Sequence, residues 1–278
     1  MSPLKIRSAD SMDHHLKIML YGHPGSGKTA LGATLQFHPK TTGVLILNVE
    51  GGMFSLKDID WGEYGAPLVA DVPDVKSLEE VFWMLRDGAE EFKDIKTVVL
   101  DSLTEIMQKD LEATVESKLN QKSRSGKQRQ NVDDAWLEDR GEVTTRQARL
   151  VRGFRDLPLH FVATAHPRIT WRKNEADMPA TDLPPLKFEP AFGDRLRTHL
   201  CGYCDYVWVM KEGDGSHHNV LTQSTGPYYA KSRARSFEQL GSVIKWPVGT
   251  PLLADVYSTV VEGEEFPAHY SAKAQENA

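Results

Sequence analysis

Residues 16–21 read LKIMLY and residues 22–29 read GHPGSGKT, and the junction between them decides the fold. A short apolar run that stops at a glycine reads as a buried strand. Gly22-His23-Pro24-Gly25-Ser26-Gly27-Lys28-Thr29 satisfies G-x-x-x-x-G-K-[ST] at every fixed position, and Ala30 opens a stretch, ALGATLQF, of helical character. Strand, glycine-rich turn and helix in that order make a phosphate cradle. Glycines let the backbone wrap closely enough for several N–H groups to point inward. The helix then presents its positive dipole end to the anion. Lys28 is expected to reach the β- and γ-phosphates and Thr29 to hold Mg2+. Residues Gly22 to Ala30 are therefore the expected contacts of a nucleotide, read as ATP. A glycine turn carrying a chance GKT is the bland alternative, and the flanking strand and helix weigh against it.

Working outward, residues 44–49 (VLILNV) form a second apolar run, closed by Glu50-Gly51-Gly52. Residues 76–93 carry Leu78, Val81, Phe82, Leu85 and Phe92 at helical steps. Residues 97–100 (TVVL) end at Asp101. Residues 103–119 and 133–156 read as helices around the polar stretch 120–131. Residues 160–165 (HFVATA) end at His166. Five prolines between 167 and 198 read as long loop. Residues 206–210 and 219–223 bracket a hairpin with its turn at 213–215. Strands alternating with helices of more than ten residues predict an α/β fold. Its central sheet is mostly parallel with crossover helices, and the C-terminal hairpin adds antiparallel strands at one edge. We expect one domain over residues 1–261, with its core at about 16–245, and a loose acidic tail over 262–278.

Composition agrees with this class. The chain has 278 residues, 40% hydrophobic and 26% charged, which excludes a mostly disordered or fibrous chain. A net charge of −6 excludes a uniformly basic nucleic-acid binder but not a local basic patch. No apolar stretch approaches the roughly 18 residues of a membrane span, and the N-terminus lacks the apolar region of a secretory signal. Two cysteines make no disulfide framework, so a cytoplasmic location is expected.

Three strand ends carry the remaining chemistry. Asp101 closes a buried apolar strand, which places a carboxylate beside the Mg2+. Alone, an Asp-Ser pair at that place reads better as a helix cap, and it is the P-loop upstream that favours the metal role. Ser102 follows it rather than Glu, so the water-activating base must come from elsewhere. Glu50 is the candidate, at the carboxyl edge of a parallel sheet, where ligands bind. His166 ends the next strand and is read as a contact to the γ-phosphate, against the bland reading of a structural histidine.

These elements, VLILNVEGG, TVVLDSLTE and HFVATAH after a P-loop strand, resemble the core of RecA-like ATPases. That resemblance implies a base at Glu50, a metal ligand at Asp101 and a sensor at His166, where the family usually has Gln. The length, the GxPGSGKT loop and the late segment YYAKSR are more specifically similar to phage-encoded RecA-like nucleotide-binding proteins. Some of those act in recombination or single-strand annealing. If so, the location is the host cytoplasm and the protein is a homo-oligomer, a filament or a ring. The resemblance also implies a basic pair contributed across the subunit interface, falling on Lys231 and Arg233, and DNA-binding loops after the helix that follows the Asp101 strand and after the strand that ends at His166. The first loop carries Lys122, Arg124, Lys127 and Arg129. The second carries Arg168, Trp171, Arg172 and Lys173, an aromatic among cations that suits base stacking with backbone tracking. Single-stranded DNA is the expected partner, with a single-strand-binding protein as a possible second.

Other readings stay open: a nucleotide-dependent switch that binds protein rather than DNA, a small-molecule kinase sharing the P-loop, and a helicase motor. Cys201-Gly202-Tyr203-Cys204 with His199 is read as two ordinary thiols in preference to a metal site. The Arg-rich helix at 140–155 is read as a solvated face paired with acids.

Overall fold

In the computed structural model, residues 14–119, 131, 134–173, 185–213, 216–233 and 238–271 are described. Strands and helices alternate as expected. β1 (Lys17–Gly22) leads into α1 (Lys28–Ala33). β2 (Val44–Asn48) and β3 (Leu68–Asp71) precede α2 (Val75–Asp87). β4 (Thr97–Asp101) leads into α3 (Leu103–Glu116), and α4 (Leu137–Asp156) leads into β5 (His160–Ala165). A short ribbon follows, β6 (Pro167–Thr170) paired antiparallel with β7 (Lys187–Pro190). Then come α5 (Asp194–Tyr203), β8 (Tyr206–Lys211), β9 (His217–Leu221), β10 (Val243–Pro247) and α6 (Leu252–Tyr257).

The main sheet has eight strands in the order β10-β9-β8-β1-β5-β4-β2-β3. β1 lies between β5 and β8, parallel to both. β4 pairs with β5 and β2, and β2 with β3, also in parallel. Only β9 runs against the others, pairing antiparallel with both β8 and β10. Strands buried on both faces need no hydrophobic alternation, and β1, β4 and β5 are buried at every position. Their side chains alternate between two cores. Met19 and Tyr21 face α2, α3, α4 and α5 through Leu78, Ile106, Phe154 and Leu200. Ile18 and Leu20 face α1 and α6 through Leu31, Leu253 and Val256. α2 and α3 start at side-chain caps, with Asp74 accepting from the Ser77 N–H and Ser102 from the Glu105 N–H.

The structure differs from expectation in four places. β3 was not read, because a four-residue, largely exposed edge strand has neither alternation nor an apolar run. The proline-rich stretch contains β6 and β7. The hairpin arms are where the sequence placed them, but the first arm, β8, sits in parallel beside β1, and β10 forms the edge. The segment from Glu262 is largely exposed but anchored at points as far as Ser271. Glu262 bonds Lys40 and His38, and Tyr270 is fully buried. No helix among the described residues is long and apolar enough to cross a membrane.

Candidate nucleotide site

The register of the sheet brings the strand ends together. Tyr21 pairs with Ala165, Leu100 with Ala163, and Asn48 with Asp101, so Gly22, His166, Asp101 and Glu50 leave the sheet along one edge.

The loop after β1 has the backbone its glycines permit. Gly25 and Gly27 take φ values of +80° and +84°. At Gly27 a side chain is also excluded by space, because a Cβ would lie 2.9 Å from His218 Cδ2 and 3.0 Å from Trp246 Cζ3. At Gly22 it would lie 2.3 Å from the Met210 carbonyl. The hairpin strands thus press on the loop from the β8 side. His23 packs edge-on against Phe188 of the ribbon, with ring centres 5.4 Å apart. His23, Pro24 and Gly25 are exposed at the loop's crest, while Ser26, Lys28 and Ala30 are buried.

Lys28 Nζ donates to the carbonyls of Gly22 at 3.1 Å and His23 at 2.9 Å, which folds the ammonium over its own loop. Burial pushes its pKa down from the usual lysine range, and the Asp101 and Glu50 carboxylates oppose that shift. Thr29 Oγ1 donates to Asp101 Oδ2 at 2.5 Å. The Ser26 hydroxyl is buried and has no partner among the described residues, which is costly unless a ligand completes it. A buried ammonium, an orphaned hydroxyl, an open glycine crest at Gly25 and a paired Thr–Asp set of hard oxygens fit a nucleotide triphosphate with Mg2+.

The carboxylate of Asp101 also accepts from Thr164 Oγ1 on β5. Glu50 accepts from Ser102 Oγ, and its Oε1 lies 2.8 Å from His166 Nε2. The backbone N–H of His166 donates to Thr104 Oγ1 at 3.0 Å, and its carbonyl accepts from Ala191 N–H at 2.9 Å. His166 therefore lies on Glu50, and it joins the edge of the sheet to the β6–β7 ribbon. Sequence reasoning missed Thr164, Thr104 and Ser102 as site residues. Thr164 did leave a signal, as a polar residue inside an otherwise apolar buried strand.

The other predicted residues lie apart. Lys231 pairs its backbone with Val207 at the start of β8, and its ammonium donates to the Cys201 carbonyl. Arg233 is largely exposed and bonds Asp205. Both sit at the opposite end of β8 from Met210, which neighbours the P-loop. Arg168, Trp171, Arg172 and Lys173 follow His166 on and just after β6. Trp171 is 37% exposed, and Arg168 pairs with Asp194 at 3.3 Å. Lys122, Arg124, Lys127 and Arg129 lie outside the described residues. Cys201 and Cys204 are free and buried, and burial pushes their thiols up to about 11 and about 12, which leaves them protonated at neutral pH. On the Arg-rich α4, Arg146 pairs with Asp110 and Arg155 with Asp156.

A family model described as an AAA domain matches residues 14–234, more than half of the chain and every element of the site. No curated protein matches the chain.

Proposed function

The chain belongs to the AAA-domain family, and on that premise we propose that it is a Mg2+-dependent ATPase of RecA-like type. Its hydrolysis is coupled to single-stranded DNA in recombination or strand annealing, and it acts as a homo-oligomer. One observation carries the ATPase reading: Lys28, the Thr29–Asp101 pair and Glu50 converge on one sheet edge. Lys28 and the loop N–H groups bind the phosphates. Thr29 and Asp101 hold Mg2+, which when bound offsets phosphate charge. Glu50 takes a proton from the attacking water, with Ser102 and His166 orienting its carboxylate, and ADP and phosphate are released. The place of this base, at the end of β2 rather than beside Asp101, supports the RecA-like variety.

The DNA reading is supported by the cations and the Trp on the ribbon that starts at His166. In it, a change at the γ-phosphate is transmitted from Glu50 through His166 to Arg168, Trp171, Arg172 and Lys173. Lys122, Arg124, Lys127 and Arg129 would supply a second contact, and Lys231 and Arg233 would reach a neighbouring subunit's phosphates. Arg168 already has a carboxylate partner in Asp194, and that contact favours the second reading, a nucleotide switch whose partner is a protein.

Steady-state ATP hydrolysis with and without single-stranded DNA tests both. DNA-stimulated turnover that falls by roughly 100-fold or more in Lys28→Ala and Glu50→Gln is expected. Turnover indifferent to DNA at low salt would favour the protein switch. Turnover retained in Glu50→Gln would remove Glu50 from the reaction.

A further inference from the structure

The backbone on the two sides of Glu50 is held differently. Ahead of it stand Gly51, at φ +85°, and Gly52, both exposed and with open space where a side chain would be. One hydrogen bond, from the Gly51 N–H to Asn48 Oδ1 at 2.8 Å, holds this stretch, and the two glycines otherwise leave the chain beyond it free to turn. Behind it, Val49 is clamped on both sides. Its N–H donates to the Asp101 carbonyl at 2.7 Å, and its carbonyl accepts from Lys109 Nζ at 2.9 Å. That carbonyl belongs to the peptide whose nitrogen is Glu50's own.

Lys109 lies on α3, two turns beyond Ser102, and is partly buried. The same helix bonds the Glu50 carboxylate through Ser102 and the His166 N–H through Thr104. Among the described residues, the Lys109 ammonium makes no ion pair with a carboxylate. Its one hydrogen bond goes to this peptide. A long, flexible side chain ordered to hold a single backbone carbonyl sacrifices rotamer freedom, and the peptide it holds is the one that carries Glu50.

We propose that Lys109 is a positioning residue for Glu50. It fixes the Val49–Glu50 peptide so that the carboxylate is presented at the sheet edge despite the two glycines that follow. The proposal rests on the reading of Glu50 as the water-activating base. Misplacement of a reacting group by about 1 Å costs on the order of 100-fold in rate. Lys109→Met keeps the apolar stem and removes the donor, whereas Lys109→Arg keeps a donor within reach.

The experiment measures kcat for ATP hydrolysis and the Kd of a fluorescent ATP analogue in four variants: Lys109→Met, Lys109→Arg, Glu50→Gln and the Lys109→Met/Glu50→Gln double. We expect kcat to fall roughly 10- to 100-fold in Lys109→Met. Lys109→Arg should recover most of that loss, with Kd unchanged in both. In the Glu50→Gln background the Lys109 substitution should add nothing, because it acts through Glu50. Wild-type kcat in Lys109→Met, or a full additional loss in the double variant, would overturn the proposal. So would a loss in Lys109→Met that Lys109→Arg does not recover. If Lys109→Met does not fold, Lys109→Arg and Lys109→Gln carry the same comparison. Absence of turnover in the wild type would overturn the hydrolysis reading, and this assignment with it.

Discussion

The carboxylate of Asp101 takes a hydroxyl donor on each oxygen, Thr29 on Oδ2 and Thr164 on Oδ1. Thr29 could be read from the P-loop pattern, whereas Thr164 is brought to Asp101 only by the pairing of β4 with β5, and no local motif encodes that pairing. Thr164→Val keeps the shape and removes the donor, leaving one buried carboxylate oxygen short of a partner. We expect a loss of about 1–3 kcal/mol in urea denaturation. In hydrolysis assays the Mg2+ requirement should rise several-fold; an unchanged Mg2+ titration would show that Thr164 does not orient Asp101. At the other end of β5, His160 is almost fully buried and accepts the Leu16 N–H on Nδ1 at 3.0 Å. Burial, with smaller repulsion from His15, Lys17 and His38, lowers its pKa from 6.5 to about 3. Between these values the unfolded chain binds a proton that the folded chain refuses. Stability is therefore intact above about pH 6.5 and falls as pH drops toward 3, by up to about 1.4 kcal/mol per unit from this group. His160→Asn retains an acceptor for Leu16 and cannot titrate. The difference in unfolding free energy between wild type and this variant should change with pH over that window, and a difference flat between pH 7 and 4.5 would rule the histidine out as its source.

Helices α3 and α4 share the apolar core and are also joined by a buried polar network. Asp110 on α3 is buried, accepts from Nε and Nη2 of Arg146 and from Gln147 Nε2 at 2.7 Å, and Arg146 also reaches Thr114 at 2.7 Å. Breaking such a buried pair from one side leaves an uncompensated charge. Asp110→Ala should cost about 3 kcal/mol in chemical denaturation, whereas Glu138→Ala at the exposed start of α4 should stay within about 0.5 kcal/mol. Equal effects would mean that the network is solvated. Helices α1 to α4 and the four strands β1, β2, β4 and β5 were legible because their period or their unbroken apolar run is a local property, whereas α5, which starts inside the stretch read as loop, and the short α6 were not read. Their caps at Asp74 and Ser102 follow the same local logic. The partner of Asp110 was not legible. The five arginines of α4 look alike in sequence, and only the packing of α4 on α3 singles out Arg146. The ribbon β6–β7 escaped for a related reason. Prolines mark Pro167 and Pro190 as poor ladder members, and the pairing survives because this two-stranded sheet is all edge.

At the scale of the molecule, the two edges of the sheet are finished differently. β3 presents Leu68 and Val69 to solvent, 56% and 46% exposed, whereas β10 is covered by the end of the described chain, where Ser271 bridges Ile244. The Glu-rich composition after Glu262 suggested a loose tail. Composition averages over the segment, and it hides the two aromatic residues that dock. Phe266 stacks on Tyr270 with ring centres 5.3 Å apart, and Tyr270 is fully buried, its hydroxyl donating to Asp255 Oδ2 at 2.8 Å. Burial raises the pKa of the Asp255 carboxyl, so this hydroxyl is also what keeps the charged form tolerable there. A docked terminus and a loose one predict different energetics. If the segment closes the β10 edge, Tyr270→Ala leaves a cavity and strands Asp255, and it should cost about 3–5 kcal/mol. Tyr270→Phe, which keeps the ring and loses one hydrogen bond, should cost about 1 kcal/mol. Urea midpoints of the two variants measure this directly. Two values within about 0.5 kcal/mol of wild type would mean that the chain beyond Glu262 contributes nothing to the fold and that the edge at β10 is as open as the one at β3.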